Sequence, residues 1–413
     1  MSRAREPLAV TGLGMVTPAG IGTDTTWREV LTGRPTAATD PGATGPLARP
    51  LCRVTGFDPH RHTGGRRPWQ YDRGTQFALA AAREAVDDAR LAPGTWDGTR
   101  GAVVLGSAAG GVARYELGLE RLRLAGPSGV SPLTLPGFLP NMAAGQVALA
   151  LGARGPVHHT ASACASGAGA LALAALLLRS GACDIAVAGG TDAMITPLCV
   201  AAFARMNALS SRPDPATASR PFDRDRDGFV LGEGAALLVL ERAADATARG
   251  APVRAHLVGA GSAADAHHAV APHPGARGLE AAVRLALTEA GAEPGDVDHI
   301  NAHGTGTPLN DRAEALLVTR LHPGAAPPTV TSAKGALGHT MGAAGAVEAA
   351  LTVLTVQHGQ VPPTAGFHTG DADTSALRLV TGCALRQRVR LALSHSAGFG
   401  GHNTVLAFRP ARS

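Results

Sequence analysis

The sequence predicts an α/β fold in which mainly parallel sheets are covered by helices. Three observations carry this reading. Short apolar runs alternate with longer helical stretches, in two successive series separated by a polar passage from Ala243 to Pro252. The chain has 413 residues, 45% of them hydrophobic, enough for two ordinary domains or one large duplicated one. Glycine is abundant, at 53 residues, while aromatics make up only 3%, a composition that suits close backbone approach and tight turns.

Taken in order, Leu8 to Gly12 reads as an opening strand and Trp27 to Thr32 as a short helix. Arg73 to Ala92 has helical spacing, and Gly101 to Leu105 is a buried apolar strand entering the small-residue loop Gly106 to Gly111. Then come a helix over Met142–Leu151, a strand over Val157–Thr160, a helix over Ala165–Ser180, and strands over Ile185–Gly189 and Ala235–Glu241. The second series is predicted as strand Ala255–Ala260, helix Gly278–Ala290, strand His299–Ala302, helix Asp311–Leu321, strand Val330–Ser332 and helix Gly345–Gln357. Two closing strands follow near Leu377–Val380 and Leu391–Ser394, the last resuming at Thr404–Phe408.

Bulk properties exclude several function classes. The net charge of +5 is modest for this length and dispersed, so it predicts no nucleic-acid partner. No run reaches about 18 apolar residues without a break, and no basic-then-apolar leader is present, so neither a membrane span nor export is expected and the cytoplasm is the default. Five cysteines without CxxC pairing argue against a disulfide framework and structural zinc, which leaves reduced thiols.

Of those cysteines, Cys52, Cys183, Cys199 and Cys383 read as small buried hydrophobes. Cys164 differs, because Ala161-Ser162-Ala163-Cys164-Ala165-Ser166-Gly167 holds it among small residues at the start of a predicted helix. There the free N–H groups favour thiolate over thiol, and the thiolate is the nucleophile. Two histidines stand in comparable settings. His303 lies where the strand Asp298 to Ala302 runs into Gly304-Thr305-Gly306-Thr307-Pro308, and His339 lies in Lys334-Gly335-Ala336-Leu337-Gly338-His339 ahead of a helix through Glu348. An imidazole so placed donates a hydrogen bond or moves a proton near neutral pH.

These motifs, with Thr11-Gly12-Leu13-Gly14-Met15-Val16-Thr17-Pro18, Pro221-Phe222-Asp223, Arg226 to Ala235, and Ala397-Gly398-Phe399-Gly400-Gly401-His402-Asn403, resemble the beta-ketoacyl-acyl-carrier-protein synthases in order along essentially the whole chain. The resemblance implies a thiolase-like five-layered αβαβα fold built from two similar halves. Residues 1–250 would carry the nucleophile and 251–413 the catalytic histidines, with the cleft where the halves meet. It further implies decarboxylative Claisen condensation of an acyl thioester held on Cys164 with malonyl carrier protein, giving a 3-oxoacyl carrier. In that scheme the backbone N–H groups of Cys164 and Phe399 form an oxyanion hole, and His303 and His339 steady the enolate. Lys334 and Glu348 support His339 or form a plain ion pair. Thr305 and Thr307 hold the phosphopantetheine arm, Phe399 gates acyl entry and Asn403 braces its loop.

No metal or organic cofactor is implied, since phosphopantetheine arrives on the carrier. The expected partners are an acyl carrier protein in trans and a second subunit, either identical or of the chain-length-factor type. The chain begins and ends almost at the motif boundaries, which predicts a discrete subunit. Two departures remove bulk: Ala397 stands where many relatives have phenylalanine, and Ala109 where the loop often carries a branched residue. They predict a roomier acyl pocket, in keeping with polyketide or specialised fatty-acid assembly. Arg61, Arg66 and Arg67 read equally as a carrier-docking patch or as ordinary surface. Two rival functions stand beside this one: a chain-length-factor-like partner lacking a nucleophile, and a non-decarboxylating acyltransferase of the same fold.

Three other motifs fail on inspection. Asp223 to Gly228 opens like a calcium loop, but the twelfth position is Gly234 where a glutamate is required. Asp265, His267, His268 and His273 fall in an irregular proline-bounded loop, so metal binding is the minority reading there. Gly12 and Gly14 are followed by Thr17 where a dinucleotide fingerprint needs glycine.

Overall fold

The computed structural model describes residues 6–64, 67–92, 94–323 and 327–411. Among them, eleven strands form one continuous path: β1 Leu8–Thr17, β2 Gly101–Gly106, β3 Val157–Thr160, β4 Ile185–Asp192, β5 Gly234–Arg242, β6 Ala255–Ala264, β7 His299–Asn301, β8 Thr329–Thr331, β9 Arg378–Leu379, β10 Ala392–Gly398 and β11 His402–Pro410. Their order is β9-β8-β7-β10-β11-β6-β1-β5-β4-β2-β3. The first half runs β3-β2-β4-β5-β1, and β8-β7-β10-β11-β6 repeats that order and those strand directions in the second. The duplication that no residue-level repeat reveals is therefore plain in the topology. The halves join edge to edge where Leu8, Ala9 and Val10 pair with Leu257, His256 and Ala255.

The expectation of mainly parallel sheets needs correction at one strand in each half. β5 in the first half and β11 in the second run against their neighbours on both sides, so each makes two antiparallel pairings. For β11 the cause is local. It is joined to β10 by Phe399-Gly400-Gly401, whose two glycines take φ of 82° and 75°, and so short a link only makes a hairpin.

The layers are completed by helices α1 Arg73–Asp88, α2 Val112–Ala125, α3 Met142–Leu151, α4 Ser166–Arg179, α5 Arg277–Ala290, α6 Pro308–Leu321 and α7 Ala344–His358. Strand side chains alternate in period two, so each sheet feeds two cores. Val103 and Leu105 pack with Phe77 of α1 and Val147 of α3, whereas Ala102 and Val104 face Leu171 of α4 and Leu351 of α7. The second sheet likewise turns Leu406 and Phe408 to that same central core, and Val405 and Ala407 to Val283 of α5 and Leu317 of α6. The result is five layers, helix, sheet, helix, sheet, helix, with α4 and α7 in the middle.

Those two central helices must approach closely, and small residues allow it. A Cβ added to Gly167 would lie 2.9 Å from Ala346 Cβ and the Gly342 carbonyl, and one on Gly345 would lie 2.8 Å from Ala168. Backbone contact at this point brings the chain just ahead of α4 beside the chain just ahead of α7. Those two segments carry Cys164 and His339.

Candidate functional site

Cys164 sits in the 3-10 turn Ala163–Ala165 immediately before α4 and is buried. Ala163 takes φ 49°, a left-handed conformation that costs a non-glycine residue about 1–2 kcal/mol. Ser166 locks the turn: its hydroxyl donates to the Ala163 carbonyl at 2.6 Å and accepts from Ser162 N–H at 2.9 Å. The end of β10 closes over the sulfur, and Phe399 N–H donates to Cys164 Sγ. Gly398 permits that approach, since a Cβ there would fall 2.4 Å from the Ser162 carbonyl and 3.2 Å from Cys164 N.

The sequence-based expectation of a stabilised thiolate is corrected by burial. Desolvation pushes the Cys164 thiol up to about 12, and the Lys334 charge and the Phe399 N–H only partly oppose it. At rest Cys164 is therefore a thiol. The helix N-terminus begins two residues later, at Ser166, and does not outweigh loss of water.

His303 and His339 come from the second half and meet at ring centroids 5.5 Å apart, edge to face at 84°. Burial, then the Lys334 charge, pushes both imidazoles well below their usual range, so both are neutral at neutral pH. Met341 N–H donates to His339 Nδ1 at 3.3 Å, and Lys334 Nζ lies 3.4 Å from His303 Nδ1. With Nδ1 accepting in each ring, the single proton of each neutral imidazole sits on Nε2. The backbone of His339 is pinned by the first half: its N–H donates to the Val230 carbonyl at 2.7 Å, and its carbonyl accepts from Gly232 N–H at 2.9 Å. Phe229 braces the ring at 5.1 Å.

Cys164, His303 and His339 open on one cavity of about 250 Å³. Thr305, Thr307, Phe399, Ala397 and Asn403 line it too. The two threonine hydroxyls are 2.9 Å apart, and Asn403 donates to Asp265 Oδ1 at 3.0 Å and to the Gly401 carbonyl, which holds the Phe399 turn against the 265–273 loop. Ala109 is not on that lining; it packs against the apolar cluster that includes Cys164, Ile195, Phe203 and Met341. Lys334 and Glu348 lie behind the histidines rather than in the cavity. Lys334 Nζ pairs with Glu348 Oε1 and donates to the His303 carbonyl at 2.6 Å, so it serves His303 more directly than the expected His339. Burial pushes the Glu348 carboxyl up to about 7 despite Lys334, and its Oε2 has no partner among the described residues.

Several residues at the site escaped the sequence reading. Asp192, at the end of β4, accepts from Ser107 Oγ (2.6 Å), Ala108 N–H (2.8 Å) and Gly342 N–H (2.6 Å), tying the Ala109 loop to the His339 turn. Burial pushes its carboxyl up to about 6 against those donors. Glu314 accepts from His303 N–H and Gly304 N–H, both at 2.8 Å. Asp311 accepts from Phe222 N–H at 2.7 Å. An acidic residue in the first two turns of the helix that follows the glycine-rich loop at His303 was the available signal for Glu314 and Asp311.

The rejected metal motifs find other uses. Asp223 accepts from Asp225, His368 and Thr369 N–H groups, and Asp265 from His273 and Gly278 N–H groups. Among the described residues no group of three or more His, Cys, Asp or Glu is arranged to hold a metal ion. Cys52, Cys183 and Cys199 are buried as expected, but Cys383 is exposed on a loop. Arg61 lies in a surface recess among Asp24, Glu84, Asp87 and Asp88, Arg67 is exposed, and Arg66 falls outside the described residues. No helix among the described residues is long and apolar enough to cross a membrane.

Comparison with known proteins identifies the family. Residues 5–246 match the family described as beta-ketoacyl synthase, N-terminal domain, and residues 254–368 the corresponding C-terminal domain. The chain is 39% identical to 3-oxoacyl-[acyl-carrier-protein] synthase 2 of Staphylococcus aureus, covering 97% of this chain and 98% of that one. The protein of the same name from Synechocystis is also 39% identical, with 98% of each chain covered. Among solved structures, the ishigamide ketosynthase/chain length factor superimposes with a TM-score of 0.92 at 34% identity, covering 98% of this chain and 100% of that one. A type II polyketide-synthase acyl-carrier protein in complex with its ketosynthase gives 0.90 at 30% identity over the same shares. The fold is thiolase-like, and the chain belongs to the beta-ketoacyl synthase family.

Proposed function

We propose that the protein is an acyl-transferring ketosynthase that condenses an acyl thioester with malonyl carrier protein to give 3-oxoacyl carrier protein. The observation that carries this reading is the convergence of one thiol and two neutral imidazoles, from opposite halves, on a single cavity. Cys164 Sγ attacks the acyl carbonyl, losing its proton as the carrier thiol leaves with one. The N–H of Phe399, already directed at the sulfur, and that of Cys164 receive the developing oxyanion. Malonyl carrier protein then loses carbon dioxide, and the Nε2–H groups of His303 and His339 donate to the enolate oxygen. The enolate carbon attacks acyl-Cys164, a carbon–carbon bond forms, and the sulfur leaves and regains a proton.

On this reading Thr305, Thr307 and Asn403 serve the phosphopantetheine arm delivered by the carrier, and no free cofactor or metal takes part. The division at residue 250 into a nucleophile half and a histidine half is part of the same proposal. Ala397, on the cavity, and Ala109, packed beside Cys164, remove bulk, which supports a roomier acyl pocket in keeping with polyketide or specialised fatty-acid assembly. Similar solved structures are described with acyl-carrier and chain-length-factor partners, and we extend both to this chain: a carrier in trans and a second subunit, in the cytoplasm. Cys164→Ala is expected to abolish acyl transfer and condensation together, followed by mass spectrometry of carrier-bound products. Condensation that persists in that variant would remove the mechanism. A chain-length-factor role without catalysis is disfavoured by the presence of the thiol itself.

A further inference from the structure

We infer that His395 is a positioning residue for His303, acting through Glu314 as a hydrogen-bond donor. The inference rests on the reading that His303 serves malonyl decarboxylation. β10 runs parallel to β7 with Ser394 opposite Asn301, which sets His395 beside the point where the chain leaves β7 for His303. Glu314 reaches back from α6 to hold the N–H groups of His303 and Gly304, both at 2.8 Å. His395 Nδ1 lies 3.0 Å from the same Oε1 that holds His303 N–H. The side chains of His395 and Glu314 are each 1% exposed, so the contact is shielded from bulk solvent.

The chemistry fixes the direction of that bond. Burial pushes the Glu314 carboxyl up, but the hydrogen bond from His395, with those from the two backbone N–H groups, brings it below the usual carboxylate range. An ionised carboxylate only accepts, so Nδ1 is the donor. Remove that donor and Glu314 keeps a buried charge on two backbone groups alone. Taking up a proton would relieve the charge but turn one oxygen into a donor, facing a backbone N–H that also donates. Either way the His303 backbone loses its fixed anchor, and a displacement of about 1 Å at a reacting group costs about a hundredfold in rate.

The same strand leads two residues on to Ala397 in the cavity, and then to Phe399, whose N–H meets Cys164. His395 therefore fastens the loop of His303 to the strand that presents the Phe399 N–H, without touching substrate itself.

Three variants of the full-length protein test this. His395→Asn keeps an N–H donor on a side chain of similar reach, His395→Leu removes the donor at comparable volume, and His395→Gln displaces it by one methylene. Acyl transfer to Cys164 is read by mass shift and malonyl decarboxylation by carbon dioxide release. The Leu variant is expected to lose at least about tenfold in decarboxylation while acyl transfer stays within about threefold, and Asn to stay within about threefold in both. The Gln variant, which tests the same point should the Leu protein not fold, is expected to lose decarboxylation selectively. Decarboxylation unchanged in Leu or in Gln, or Asn as impaired as Leu, would overturn the assignment of His395. Wild-type protein that releases no carbon dioxide from malonyl carrier protein would instead remove the functional reading on which it stands.

Discussion

At the scale of single residues, the site is defined by what burial does to three titratable groups. A buried thiol and two buried imidazoles all shift towards their neutral forms, because a charge loses its hydration and nothing nearby makes up the loss. Neutral histidines carrying Nε2–H suit donation to an oxyanion that forms only during the reaction, and they bring no standing charge into the cavity. The thiol pushed up to about 12 has a direct consequence: thiolate is scarce at neutral pH and rises tenfold per unit below that value. Alkylation of Cys164 by iodoacetamide is therefore expected to climb about tenfold per pH unit between about pH 6 and about pH 9 without levelling. A plateau near neutral pH, followed by labelled-peptide mass spectrometry, would show a preformed thiolate instead.

At the scale of elements, the site depends on strand and helix ends being bolted to one another by buried polar groups. Asp192 ties β4, the Ala109 loop and the His339 turn; Glu314 ties α6 to the end of β7; Lys334 and Glu348 tie the turn before His339 to α7. The last pair is fully buried, so removing one partner strands the other's charge. Lys334→Met is expected to lower stability by about 3–5 kcal/mol in urea unfolding. Glu348 already has its carboxyl raised to about 7, and losing Lys334 raises it further. A raised acid is neutral in the folded state at low pH and must ionise at higher pH, so its contribution falls as pH rises through the folded value. The deficit is thus expected to be larger at about pH 8 than at about pH 6; an equal deficit at both would mean that Glu348 is not left charged.

Sequence and structure diverge most over α2, which has no counterpart among the elements expected from the sequence. It carries Tyr115, Leu117, Leu119, Leu122 and Leu124, all exposed and spread around the helix, so no apolar stripe marks it. The central helices were legible for the opposite reason. Long Ala and Leu runs such as those of α4 and α7 serve a helix buried on nearly every side, and their glycines record the close approach.

Across the assembled protein, the described sheet ends at β3, an edge strand with exposed Val157 and, at His159, two ring nitrogens that are buried without a partner among the described residues. Nearby surface adds Leu149, 73% exposed, at the end of α3, and Leu135, 63% exposed. An apolar rim beside an unpaired strand edge is the pattern that a second subunit covers. If the second subunit proposed above sits on this edge, Val157→Glu is expected to lower the sedimentation coefficient relative to wild type, with cysteine alkylation retained. A sedimentation coefficient unchanged from wild type would place the subunit contact elsewhere.

Local signals in the chain were enough for the α/β alternation and the family, and for bringing forward Cys164, His303 and His339, which the fold gathers on one cavity. These three residues sit in small-residue turns at element ends, and the motifs span the chain in order, so each can be read without knowing its neighbours in space. What those groups are like chemically came only from packing. Whether Cys164 rests as thiol or thiolate depends on water excluded by β10 from the other half, and which nitrogen of each histidine holds its proton depends on Lys334 and Met341. Glu314, Asp192 and His395 acquire their roles only through partners far along the chain, 81 residues separating Glu314 from His395. Burial and long-range hydrogen bonds are properties of the packed molecule, and no local run of residues encodes them.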